Sequence, residues 1–101
     1  MNQKELYKPV NMKDIHDVLK KVAANLKQMR TKKDEIEKVL PDAPYHVQKA
    51  LQAHLDNDLG VWINVAENKK RELQKIIKRY EEGETILRQE IMALTNVIRT
   101  Y

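Results

Sequence analysis

The side chains best suited to chemistry in this chain are three histidines, His16, His46 and His54, set among fifteen carboxylates. Asp42 and His46, and likewise His54 and Asp58, are four residues apart and can share one face of a helix. Each pair supplies two ligands where a structural or catalytic metal site uses three or four, and His46 and His54 are two turns apart, too far to share an ion. Asp56 and Asp58 open like a calcium loop, but Gly60 comes one place early and no glutamate closes the loop. No metal site is expected. There is no serine and no cysteine, so acyl transfer through an activated hydroxyl or thiol would fall to four scattered threonines with no adjacent base. Two isolated glycines form no phosphate-cradling loop. These absences predict a protein that is not an enzyme and carries no cofactor.

Binding chemistry is better represented. Lys69, Lys70, Arg71, Lys75, Lys78 and Arg79 concentrate positive charge over eleven residues, a candidate ridge for a phosphate backbone. Against nucleic acid stand the sparseness of arginine, the lack of an interleaved aromatic for base stacking, and the acidic block Glu81, Glu82 and Glu84, which could neutralise the ridge. Trp62, the single tryptophan, together with Tyr80 and Tyr101, supplies the large amphipathic side chains that anchor protein interfaces. The expected function is therefore non-catalytic protein–protein interaction by an adaptor, inhibitor or assembly factor, with nucleic-acid regulation through Lys69–Arg79 as the alternative.

The elements that must carry these residues are helical. Charged residues make up 34% of the chain, against two glycines and three prolines, too little turn chemistry for a sandwich or barrel. Asn11 has the character of an N-cap with Asp14 three residues on, and Val10 and Ile15 are spaced as a hydrophobic staple. Ile15, Leu19, Val22, Leu26, Met29, Lys33, Ile36 and Leu40 then alternate at fours and threes, predicting one helix over 12–40. Pro41 and Pro44 bracket a turn over 41–44. Residues 1–10 have no period and read as a flexible arm ahead of a single helical-bundle domain, 11–101.

Beyond the turn an apolar stripe runs from Val47 through Leu59, Leu73, Ile77 and Leu87 to Tyr101, wider than a two-stranded coiled-coil seam. As one helix it would span about 85 Å, twice the first helix, so it must break near Gly60 or Gly83 and fold back, or else pair with another chain; a break near Gly83 is favoured. Homo-oligomerisation therefore stays open. Lys33, Lys70 and Glu84 are polar rungs of the stripe, and Glu84 is expected to pair with one of the two lysines. The longest run of large apolar residues is Val61–Ile63, so no membrane span is expected, and with no secretory leader in the first ten residues the expected location is cytoplasmic.

Overall fold

A computed structural model describes residues 3–95, with side chains from Glu5 onward, and the fold is all-α. The elements are α1 (Gln3–Leu6), α2 (Met12–Val39), α3 (Tyr45–His54), α4 (Gly60–Glu81) and α5 (Arg88–Thr95). A 3-10 turn over Leu40–Asp42 reverses the chain between α2 and α3. The start of α2 is a complete capping box: the Asn11 side chain accepts from the Asp14 amide at 2.9 Å, and the Asp14 carboxylate accepts from the Asn11 amide at 3.2 Å. Pro41, lacking an N–H, ends it.

Gly60 does not break the second helical region. The backbone stays helical from Tyr45 to Glu81, a rod of about 55 Å at 1.5 Å per residue, with one π-helical turn over Leu55–Leu59. In that turn the Gly60 amide donates to the Leu55 carbonyl, five residues back. The wider turn brings the same carbonyl so close that a Cβ on Gly60 would lie 2.5 Å from it. Glycine there makes room for the π turn, whereas its sequence signature is that of a helix end.

Gly83 is the break. It adopts φ 94, its amide donates to Tyr80 O at 3.0 Å and the next amide, Glu84, donates to Arg79 O at 3.0 Å, which is the Schellman closure. The chain then returns antiparallel to α4. On the way Val10 donates to Ile86 O and Arg88 to Lys8 O, both at 2.9 Å, around a bridge between Pro9 and Leu87. The end of the expected N-terminal arm is thus held against the return segment, and Val10 is buried. A search for helical period passes over such a contact because it is a two-residue extended pairing.

The core falls into two clusters along the hairpin. Val10, Ile15, Val22, Leu73, Ile76, Ile86 and Ile91 form the upper one, where α5 packs as a third layer. Leu26, Met29, Ile36, Leu55, Leu59, Ile63 and Ala66 form the lower one, between α2 and the rod alone. The extents of 55 × 27 × 15 Å match the rod in length, and the radius of gyration of 17.4 Å exceeds the ~13 Å of a compact chain this size.

The two glycines generate opposite expectations from the usual preference for alanine in helices. Gly83→Ala should lower stability by about 1 kcal/mol through its left-handed backbone. Gly60→Ala should also destabilise, despite a propensity gain of about 1 kcal/mol, because the methyl group displaces the Leu55 carbonyl. Urea unfolding of both variants checks this; a more stable Gly60→Ala would contradict the packing account of the π turn.

Candidate interaction face

Lys69 does not belong to a surface ridge. It follows Ala66 and precedes Leu73 on the buried stripe of α4, is 7% exposed, and its ammonium donates to the Leu94 carbonyl of α5 at 2.8 Å. Burial pushes its pKa below the usual lysine value, since desolvation penalises the charged form. Asn25 of α2 is buried as well, between residues of the upper and lower clusters in sequence. A polar layer thus separates the apolar clusters, and Lys69 ties α4 to α5 through the Leu94 carbonyl.

The rest of the basic stretch is divided in the same way. Arg79 donates to Glu84 and, at 3.0 Å, to Glu90, so Glu84 pairs neither with Lys33 nor with Lys70. The Schellman turn explains the difference: it swings Glu84 off the seam and back over the last turn of α4. Glu90 also accepts from the Leu87 amide at 2.9 Å, capping the first turn of α5. That backbone bond first, with Arg79 adding to it against the opposing effect of burial, holds the Glu90 carboxyl below the usual carboxylate range. The same two carboxylates, Glu84 foremost, raise the Arg79 pKa. Arg71 donates to Asn68 and Lys75 pairs with Glu72 at 3.3 Å, which leaves Lys70, partly buried, and Lys78, exposed, with no ion pair among the described residues.

Trp62 and Tyr80 are both half-buried and pack on the lower and upper clusters respectively. Tyr101 lies outside the described residues. Trp62 sits two helical turns before Lys69, hence on the same side of α4, but below the level at which Leu94 meets that side. Val65, half-buried, and Val61, 48% exposed, adjoin it there. The three form an apolar strip where α5 covers the upper cluster and no described helix covers the lower one. Composition drew attention to Trp62; Val61 and Val65 emerge only from their exposure on the folded chain.

Elsewhere, Tyr45 and Val39 are exposed at the hairpin tip, 74% and 57% respectively, with Lys49 over the Tyr45 ring at 5.6 Å. His54 and Asp58 do meet, at 3.3 Å, beside the π turn. Among the described residues no three histidine or carboxylate side chains gather as metal ligands, and no helix is long and apolar enough to cross a membrane. No family model, curated protein or solved structure matches the chain.

Glu90 gives the site a measurable pH signature. With its folded pKa below the ordinary value, its contribution is present above about pH 4.5 and is lost as pH falls through the folded pKa. Glu90→Gln should therefore destabilise by about 1 kcal/mol at pH 7 and converge on the parent protein as pH falls through the folded pKa of Glu90. Thermal melts across that window supply the check; a constant difference would remove the carboxylate from the α5 cap.

Proposed function

We propose that this chain is a non-catalytic, cytoplasmic protein–protein interaction module, an adaptor, inhibitor or assembly factor, whose partner docks on the α4 side bearing Val61, Trp62 and Val65. The observation that carries this reading is the apolar strip on α4, where a tryptophan is half-buried beside a valine that is 48% exposed. A rigid aromatic set in an apolar surround, on a helix whose other side is already packed, is the kind of anchor around which interface energy concentrates. Nucleic-acid binding through the 69–79 stretch has less support: Lys69 is spent on Leu94, and Arg79 on Glu84 and Glu90. Four residues of the six remain outward, two of them engaged with Asn68 or Glu72.

Val61→Arg places a charge in the strip at a position exposed enough that folding should change by no more than about 0.5 kcal/mol. Quantitative affinity capture from the native host, with the parent chain and this variant as baits, should yield a discrete protein that the variant loses at least tenfold. Equal recovery by both baits would refute the assignment of this face. Capture of nucleic acid alone, lost when Arg71, Lys75 and Lys78 become Gln, would favour the alternative.

A further inference from the structure

The strip of Val61, Trp62 and Val65 lies on the side of α4 that Lys69 ties to α5. Lys69 donates to the Leu94 carbonyl at 2.8 Å, Ile91 is buried in the upper cluster and Leu94 packs against it, so the face of α5 turned to α4 carries Ile91 and Leu94. Six residues follow Thr95 in the sequence, Asn96, Val97, Ile98, Arg99, Thr100 and Tyr101, and they lie outside the described ones. Ile91, Leu94, Ile98 and Tyr101 are spaced by three, four and three, a single stripe at the helical period. The apolar period of the inner face of α5 therefore runs on in the sequence past Thr95.

Distances along the two helices match. Because the chain returns antiparallel to α4, each residue after Leu94 advances about 1.5 Å toward the N-terminal end of α4 where the helical period is kept. On that count Ile98 comes about 6 Å and Tyr101 about 10 Å beyond Leu94. Val65 and Trp62 stand about 6 Å and about 10 Å beyond Lys69 in the same direction. The period thus sets one apolar residue level with each half-buried residue of the strip, starting from the contact between Lys69 and Leu94.

We infer that the strip is the seat of this chain's own residues 96–101, with Ile98 on Val65 and Tyr101 against Trp62, and that a protein partner must displace them. The inference rests on the reading of the strip as a docking face and adds its regulation. Attachment favours this occupant over a second copy. With α5 held by Lys69 and by the burial of Ile91, six residues joined to it are presented to the strip at an effective concentration on the order of 1 mM, which a second copy would have to match from solution. The apparent affinity for a partner is then reduced by the fraction of molecules whose strip is open.

Trp62 is the single tryptophan, so its fluorescence reports on the strip alone. Ile98→Asp/Tyr101→Ser should raise the acrylamide quenching constant of Trp62 at least twofold and shift its emission to the red, and Tyr101→Ser alone, the milder change, should move both in the same direction. Thr100→Asp, on the opposite side of the same period, should leave the parent values, with helical circular dichroism equal in all four proteins. As a capture bait the double variant should recover at least fivefold more of the protein that Val61→Arg loses. Unchanged quenching in the double variant overturns the inference and leaves the docking face as it was. Quenching of the parent that varies with its concentration over 5–500 µM puts a second copy on the strip and overturns it as well. Equal recovery by the parent and the double variant refutes displacement. Raised quenching with no protein captured by any bait keeps the seat and removes the partner reading.

Discussion

Everything downstream of the rod depends on one residue being able to adopt a left-handed backbone. Without positive φ at Gly83 the Glu84 amide cannot reach Arg79 O, and α4 would run on into solvent. Once the chain is turned, Arg79 finds both Glu84 and Glu90, Glu90 caps α5, and Lys8 and Val10 pair with the return segment. These contacts are individually modest and partly exposed, and their worth lies in agreeing on one direction for α5. Burial of Ile86 and Ile91 against the upper cluster then supplies most of the energy.

Legibility in the sequence followed the distance over which each signal acts. The capping box at Asn11, the α2 ladder and the proline turn are local, and their residues announced them. Gly60 and Gly83 looked alike because both sit after polar residues in an apolar stripe; what separates them is backbone geometry, a π turn at one and a left-handed residue at the other. The pairing of Val10 and Lys8 with the return segment escaped the reading because their partners are nearly eighty residues away.

The site residues show a related limit. Counting charge from 69 to 79 treats six side chains as equivalent, yet a helix distributes them around its axis, and the one on the buried stripe, Lys69, became an internal tie. Glu84 was placed on the seam by extending the period through a residue that ends it. Trp62 was identified from its type alone, and its surroundings gained meaning only once its neighbours Val61 and Val65 were placed on the folded chain.

The polar layer of Asn25 and Lys69 has a further consequence for how the molecule breathes. It divides the hydrophobic interior into a lower cluster, between α2 and the rod with its π turn, and an upper one that includes α5. Local opening is then a property of halves. The proline tip and the strands of helix below Met29 can part and exchange their amide hydrogens while α5 keeps the upper half closed, making one chain of two unequal cooperative units.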